Sequence, residues 1–305
     1  MVICKLEEER IAQFIDYCRI YGYEHDNSYI GEDDFNIRDF VPDEDNPTYI
    51  VMDDVDGDGY SDRIVGAVSL MLNEFQNYNK CRLRILHCIS GSKEIYLTMI
   101  NSILTHVTVD NIYLFLHENK YELGKILEEC NFKIQRYSYV LLRKDREYKT
   151  WVFPEGFYLQ PYRVNTDDDI WCNIINTCFA KLAGHMEMKS DLLYKYLISE
   201  NYLEGGLMIL WNIDKPVGLL HVSKQKEGLK VFASIEQIAI LPEYQGKGIG
   251  RNLLRAGIDF GKKEGLRDTC LSVNGENSKA ANLYLSEGFK KEVALLCYNK
   301  NMTSS

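Results

Sequence analysis

The sequence predicts an α/β (α+β) protein of two tandem domains, each with a mixed, mostly antiparallel sheet flanked by helices. The first observation is length, since 305 residues exceed what one core usually fills and suggest about two domains. The second is that a similar order of strand-like and helix-like segments occurs twice, each time with antiparallel strands followed by alternating helices and strands. We predict domains at residues 1–150 and 151–305, joined near residues 145–154.

The composition is that of a globular protein, with 46% hydrophobic and 26% charged residues. No apolar run approaches the ~18 residues that a membrane span needs, and the charged start does not resemble a signal peptide. The nine cysteines are scattered without a Cys-x-x-Cys pair, which argues against a disulfide framework or a zinc site. We expect a cytoplasmic protein with reduced cysteines, no metal and no membrane partner.

The net charge of −10 is concentrated between Tyr21 and Asp62, where fourteen acidic residues face the single Arg38. A nucleic-acid-binding protein would show a basic face instead, so we expect no nucleic-acid partner. A solvated acidic surface is favoured over attraction of a cationic substrate. The segment Asp54–Asp62 begins like a calcium loop, but its twelfth position is Val65 where a bidentate Glu is needed. A hairpin turn explains it more simply, and calcium binding stays open.

The second half starts with a predicted strand over 158–163 and a helix for which Asp167 is the expected N-cap. The apolar spacing and the turn residues predict the remaining elements. They are a helix over 190–199, strands over 206–212, 216–223 and 229–241, a helix over 248–264, a strand over 269–273, a helix over 278–287 and a strand over 292–298. Antiparallel strands followed by alternating helices and strands predict a mixed sheet covered on both faces.

The first half follows a similar plan. Its predicted elements are a helix over 8–19, strands over 48–52, 63–70 and 82–90, a helix over 94–107, a strand over 111–116, a helix over 121–130 and a strand over 134–143. The segment Leu127–Phe132 stands where Leu285–Phe289 stands in the second half. We therefore infer a tandem duplication.

The segment with the clearest chemical signal is Gln245-Gly-Lys-Gly-Ile-Gly250, which leaves a predicted strand and opens a helix. Glycines let the backbone approach a ligand closely, and the amide groups at a helix N-terminus favour an anion. A dinucleotide fingerprint is disfavoured because antiparallel hairpins precede the loop, and a P-loop is disfavoured because Lys247 is followed by Gly248. A pyrophosphate-binding loop is the remaining interpretation.

These residues resemble the GNAT N-acetyltransferase superfamily, whose acetyl-CoA signature is Gln/Arg-x-x-Gly-x-Gly/Ala. Gln245, Gly248 and Gly250 match it in full. The strand and loop from Ile235 to Tyr244 and the Asn-x-x-Ala-x-x-x-Tyr-x-x-x-Gly-Phe segment from Asn277 to Phe289 extend the resemblance to about 140 residues. It implies a GNAT fold in each half, with the catalytic domain in residues 151–305.

The resemblance also implies roles for individual residues. Glu236 is the expected base that takes the proton from the amine, and Tyr284 the expected acid that protonates the coenzyme A thiolate. The backbone of Ile238, Ala239 and Ile240 would hold the pantetheine arm and stabilise the oxyanion. The remaining expected acetyl-CoA contacts are Gln245, Gly246, Lys247, Gly248, Ile249, Gly250, Arg251 and Asn277. His221, on a predicted strand, is interpreted as a satisfied core or cleft histidine.

The first half departs from the family pattern at the acetyl-CoA loop. After its strand comes Gly91-Ser-Lys-Glu-Ile95, without the glycine signature, and Leu127 occupies the place of Tyr284. We expect a degenerate GNAT-like domain there. Two functions stay open: an N-acetyltransferase that acts on a primary amine of a small molecule or peptide, and a non-catalytic acetyl-CoA sensor or interaction module. Turnover with any amine would exclude the pure sensor.

Overall fold

The computed structural model describes residues 1–26, 40–53, 63–72, 79–105, 107–144, 149–182, 185, 187–227 and 230–302. The calcium-like segment 54–62, residues 27–39 of the acidic stretch and residues 145–148 of the predicted junction lie outside these residues. Two compact units are present: unit 1 comprises residues 1–137 and 294–305, and unit 2 comprises residues 138–293. The division near residue 150, with a catalytic and a degenerate domain, remains a prediction.

Unit 1 contains a sheet in the order β1-β2-β3-β4-β5-β12, in which only β4 and β5 are parallel. Its elements are β1 (Val2–Lys5), α1 (Ile11–Tyr21), β2 (Thr48–Met52), β3 (Ile64–Met71), β4 (Lys80–Cys88), α2 (Lys93–Leu104), β5 (Asn111–His117) and α3 (Tyr121–Glu129). Strand β12 runs over Lys290–Asn301, and its residues 294–301 belong to this unit. Successive side chains of β3 point to opposite faces of the sheet, and both faces are buried at this strand. Val68 and Leu70 pack with α2 and α3, and Ala67 packs with α1.

Unit 2 has a sheet in the order β6-β11-β10-β9-β8-β7, in which only β10 and β11 are parallel. Its elements are the end of β6 (Lys133–Arg143), β7 (Phe157–Pro161), α4 (Asp168–Phe179), α5 (Ser190–Leu197), β8 (Leu207–Asn212), β9 (Lys215–Glu227), β10 (Lys230–Ile240), α6 (Ile249–Lys263), β11 (Thr269–Asn274) and α7 (Ser278–Ser286). Helices α6 and α7 cover one face, and α4 and α5 cover the other. The predicted mixed, mostly antiparallel sheets are confirmed.

The inferred duplication is visible in the way α3 and α7 end. The amide of Phe132 donates to the carbonyl of Leu127 (2.9 Å), and the amide of Phe289 donates to the carbonyl of Tyr284 (3.1 Å). A left-handed residue precedes each Phe: Asn131 at φ 67° and Gly288 at φ 91°. Both helices therefore end in the same left-handed cap.

Several expectations need correction. Strand β1 was not predicted. Asp167 stands at the N-cap of α4 but makes no capping bond, because its carboxylate accepts hydrogen bonds from the amide and guanidinium of Arg163 instead. The compact units are not continuous in sequence, since residues 138–143 of β6 belong to unit 2 and residues 294–301 of β12 belong to unit 1. No described helix is long and apolar enough to cross a membrane.

Candidate active site

The glycine-rich loop after β10 leaves open space at its centre. Gly246 has φ 76° and Gly248 has φ 77°, a left-handed conformation that L side chains rarely adopt. A Cβ added to either residue would meet no atom within 4 Å, so the glycines create room beside the backbone. Gly248 is the N-cap of α6, and the first amides of that helix have no partner within the helix. The loop therefore fits an anionic group such as a pyrophosphate.

Side chains around this loop brace it. The Gln245 amide donates to the carbonyl of Ile240 (2.8 Å), which fixes the loop to the end of β10. The Lys247 ammonium donates to the carbonyl of Glu243 (2.9 Å) and lies over the Tyr244 ring. A Cβ added to Gly250 would lie at ordinary contact distance from Ile240 (3.6 Å) and Leu283 (3.9 Å), and Ile249 is buried in the core with Ile240. The loop is thus held between β10 and α7.

Two further residues that the resemblance assigns to acetyl-CoA have structural partners. The Arg251 guanidinium forms an ion pair with Glu287 and donates to the Ser286 hydroxyl (3.1 Å). The Asn277 side chain caps α7, since its Oδ1 accepts the amide of Ala280 (3.2 Å). This cap uses one lone pair of Oδ1 and leaves the Nδ2 group of Asn277 out of the bond.

Strands β10 and β11 diverge beside the loop. Their parallel pairing is limited to Ala233–Ile235 with Thr269–Leu271, although β10 continues to Ile240 and β11 continues to Asn274. Beyond Ile235 the strand β10 stays paired with β9. The edge of β10 that faces away from β9 is therefore not paired with β11 between Glu236 and Ile240, and an unpaired strand edge of this kind can bind an extended ligand that carries amides of its own.

A β-bulge explains this divergence and re-aims two side chains. The register of β10 against β9 shifts between Ile235 and Gln237, and a bulge bends a strand and increases its twist. Glu236, the predicted base, lies at the bulge, where its carboxylate accepts a hydrogen bond from the Ser223 hydroxyl (2.8 Å). The next side chain, Gln237, bonds to Trp171. The bulge therefore brings both side chains to the α4 and α5 face of the sheet, with Glu236 exposed.

Polar and aromatic side chains that sequence reasoning did not assemble surround this bulge. The Gln237 amide accepts from the Trp171 indole (3.2 Å) and donates to the Tyr196 hydroxyl (3.2 Å). The His221 ring lies 4.8 Å from the Tyr196 ring and 6.4 Å from the Trp171 ring, between centroids. We call Trp171, Tyr196, His221, Ser223, Glu236 and Gln237 the bulge cluster. Helical spacing marks Trp171 and Tyr196 as apolar-face residues only, and nothing in the sequence marks the bulge.

Tyr284, the predicted acid, packs in the core between α6, α7 and the sheet. Burial raises the pKa of its phenol to about 12, so it keeps its proton at neutral pH. Its ring lies 6.0 Å from the Phe289 ring, between centroids. Among the described residues no group hydrogen-bonds its hydroxyl. The phenol is therefore available as a proton donor.

An ion-pair network joins α6, which follows the glycine loop, to the end of α7, which carries Tyr284. Glu287, which follows α7 and is 2% exposed, accepts from Arg255 on α6 (2.9 and 3.0 Å) and pairs with Arg251 and with Lys149 (3.5 Å). Burial alone would raise the pKa of Glu287, but the hydrogen bonds from the two arginines outweigh it and lower the pKa to about 2. The network fixes the start of α6, beside the glycine loop, relative to the end of α7.

Unit 1 repeats the divergence of its parallel strands, but its own chain occupies the opening. Pairing of β4 with β5 is limited to Lys80–Arg82 with Asn111–Tyr113. Farther along, His25 forms a bridge with Leu116 of β5, and its Nε2 accepts the amide of Leu86 of β4 (3.3 Å). Burial lowers the pKa of His25 to about 3, so the ring is neutral there.

In the described parts of the whole chain, no group of three His, Cys, Asp or Glu side chains is placed to hold a metal ion.

Comparison with known proteins gives a family for unit 2. The family model described as acetyltransferase (GNAT) family matches residues 169–289. Mycothiol acetyltransferase of Kocuria rhizophila is 27% identical over 143 residues, which are 45% of this chain and 47% of that protein. The same enzyme of Renibacterium salmoninarum is 29% identical over 143 residues, which are 45% of this chain and 42% of that protein. The chain thus matches about half the length of these relatives.

Solved structures match over nearly the whole chain. A tandem GNAT protein from the clavulanic acid biosynthesis pathway has a TM-score of 0.66 at 12% identity and covers 98% of both chains. A GCN5-related N-acetyltransferase from Sphaerobacter thermophilus has a TM-score of 0.65 at 11% identity, covering 98% of this chain and 95% of that chain. At this identity the likeness concerns the fold alone. The chain accordingly has the tandem GNAT fold, and residues 169–289 form a domain of the GNAT acetyltransferase family.

Proposed function

We propose that the protein is an N-acetyltransferase that transfers acetyl from acetyl-CoA to a primary amine of a small molecule or peptide. The observation that carries this proposal is the junction of three features in unit 2: the open glycine loop, the diverging strands β10 and β11, and a carboxylate at the bulge beside them. The anionic pyrophosphate suits the amides after Gly248, and the pantetheine amides suit the edge of Ile238–Ile240.

Each proton transfer has a residue to perform it. Acetyl-CoA supplies the acyl group as a thioester. Glu236 takes one proton from the ammonium form of the acceptor, which frees the nitrogen lone pair for attack on the thioester carbonyl. As the carbon–nitrogen bond forms and the carbon–sulfur bond breaks, the Tyr284 hydroxyl donates its proton toward the departing sulfur. The second proton that the nitrogen loses on amide formation restores the Tyr284 phenol, and Glu236 releases its own proton to solvent, so the reaction yields the amide, coenzyme A thiol and one proton. The raised pKa of Tyr284 keeps that proton in place until then.

Unit 1 is proposed to take no part in acetyl-CoA binding. His25 uses the Leu86 amide that a ligand between β4 and β5 would need, and the glycine signature is missing after β4. The mycothiol acetyltransferase relatives align with only 45% of this chain, so acceptor identity does not transfer with them.

Release of coenzyme A thiol from acetyl-CoA, measured against a panel of amines, tests the proposal. The panel comprises D-glucosamine, kanamycin, spermidine and trialanine, and Glu236→Gln is the matched variant. The expected result is turnover with at least one amine and a loss of about 100-fold in kcat/KM for Glu236→Gln, the usual size of a general-base effect. Binding of acetyl-CoA without turnover of any amine would instead support the sensor.

A further inference from the structure

His221 is buried in the bulge cluster with a polar atom that no neighbour satisfies. The residue is 3% exposed, and its Nδ1 is fully buried without a hydrogen-bond partner among the described residues. A buried polar atom left unpaired has lost its hydrogen bonds to water without replacement, and such atoms are uncommon in folded proteins. We expected a buried histidine with its hydrogen bonds made, but Nδ1 of His221 lacks a partner in the described structure. A bound ligand could supply one.

The neighbouring side chains are already engaged with one another. The Gln237 amide bonds Trp171 through its oxygen and Tyr196 through its nitrogen. The Ser223 hydroxyl donates to Glu236. His221 pairs in register with Leu207 on β8 and Gln237 on β10, so it lies at the centre of the sheet and directly across from the bulge. None of these side chains hydrogen-bonds the Nδ1 of His221, which leaves that atom for a partner from outside the cluster.

The charge state of His221 defines what that partner can be. Burial lowers the pKa of His221 to about 4, even though the negative charge of Glu236 acts in the opposite direction. At neutral pH the imidazole is therefore uncharged, and its Nδ1 accepts or donates one hydrogen bond according to the tautomer. An ammonium group is served by the Glu236 carboxylate. A hydroxyl group suits His221, because it can both donate and accept.

We propose that His221 determines acceptor specificity: its Nδ1 hydrogen-bonds a hydroxyl group next to the amine that Glu236 deprotonates. The acceptor class is thus an amino alcohol, such as an amino sugar, rather than a bare alkylamine, which would leave Nδ1 unpaired in the complex. This inference rests on the proposed acetyl transfer, because it assigns the acceptor of that site. His221 is thus a specificity-determining residue and exchanges no proton with the substrate.

The experiment uses two acceptors that differ by one hydroxyl, trans-2-aminocyclohexanol and cyclohexylamine. The preference is the ratio of their kcat/KM values, compared across full-length wild type, His221→Asn, His221→Phe and His221→Gln. Asn carries a polar atom near the position of Nδ1, Gln carries one near Nε2, and Phe keeps the ring without nitrogen. Comparing the ratio between variants cancels the different basicities of the two amines.

We expect His221→Phe and His221→Gln to lower the preference about tenfold, the value of one hydrogen bond of ordinary net strength, and His221→Asn to retain it within about threefold. In His221→Phe the loss of kcat/KM should be larger for trans-2-aminocyclohexanol than for cyclohexylamine. An equal loss for both amines, or an unchanged ratio in His221→Phe, overturns the proposal, because the ring would then act through packing or be satisfied by water.

A binding measurement separates this inference from the proposed transfer. In the presence of coenzyme A, the imidazole nitrogen signal of His221 in ¹⁵N-labelled wild type, assigned by its loss in His221→Asn, should shift with trans-2-aminocyclohexanol and not with cyclohexylamine. A selective shift without turnover would refute acetyl transfer but keep the role of His221. Turnover without a selective shift would refute the role of His221 but keep acetyl transfer. Neither shift nor turnover would refute both.

Discussion

The Glu287 network gives a quantitative prediction about what holds the site together. Its carboxyl pKa falls from an ordinary value of 4.5 to about 2 in the folded protein. Each unit of pKa corresponds to about 1.4 kcal/mol, so the charged form contributes about 3 kcal/mol to the free energy of unfolding. Because the folded pKa is the lower one, this contribution is complete above about pH 5 and is lost as the pH falls toward 2.

Glu287→Gln keeps the size of the side chain and removes its charge. We expect its free energy of unfolding at pH 7, measured by urea denaturation, to be about 3 kcal/mol below that of wild type. The difference should shrink below pH 5, with less than half remaining near pH 3. The exposed Glu264, at the end of α6, provides the control, and Glu264→Gln should change the value by no more than about 0.5 kcal/mol.

A different result would refute this reasoning. If Glu287→Gln unfolds with the free energy of wild type at pH 7, the arginines around Glu287 do not stabilise the fold. If the difference between the two proteins does not change between pH 7 and pH 3, its source is packing and not charge. High salt gives a second check on the same difference in unfolding free energy. Salt should reduce it, because ions screen the exposed Arg251 and Lys149 side chains that pair with the buried carboxylate.

Two further predictions concern the acid and the sheet. Tyr284→Phe should lower kcat by about 100-fold with little change in KM or in the melting temperature, since the ring stays and only the donor is lost; an unchanged kcat would exclude the phenol as the acid. In wild type the pKa of about 12 also predicts that ionisation of Tyr284 causes no fall in activity up to about pH 11. Gly206→Ala should cost about 1 to 3 kcal/mol of unfolding free energy, because the new Cβ would lie 2.2 Å from the carbonyl oxygen of Val222; urea denaturation measures this, and a loss below about 0.5 kcal/mol would contradict it.

The sequence predicts much of the fold because its signals are local. Apolar periodicity gives the bounds of α6 and β11 within a residue or so, and the repeated helix end before Phe132 and Phe289 reveals the duplication. Pairing between distant strands is a different matter. The ends of β6 and β12 read as equivalent last strands, and no local pattern states which compact unit each one joins.

The candidate site shows the same limit. The glycine loop is visible in the sequence because only glycine fits left-handed turns with an open approach. The bulge at Glu236 depends on register against β9, so neither the turn of Gln237 toward Trp171 nor the unpaired nitrogen of His221 follows from the residue types. The position of His25 between β4 and β5 in unit 1 cannot be predicted from the sequence for the same reason. His25 contacts Leu86 and Leu116, which are about 60 and 90 positions away along the chain.

The glycine loop can be tested with a matched pair of variants. Gly248 and Gly265 lie just before and just after α6, have φ of 77° and 82°, and leave an added Cβ without contacts within 4 Å. Replacing either with Ala should therefore cost a similar amount, about 1 to 2 kcal/mol for the left-handed backbone. Only Gly248 lies in the loop proposed to bind the pyrophosphate, so only its substitution should affect the ligand.

The most direct test of the central claim is the melting temperature of wild type, Gly248→Ala and Gly265→Ala with and without acetyl-CoA. At 100 times its dissociation constant the ligand should stabilise wild type by about 2.7 kcal/mol, a rise of several degrees. The account predicts that rise in wild type and in Gly265→Ala, and little or none in Gly248→Ala. No rise in wild type, or an equal rise in all three proteins, would contradict it.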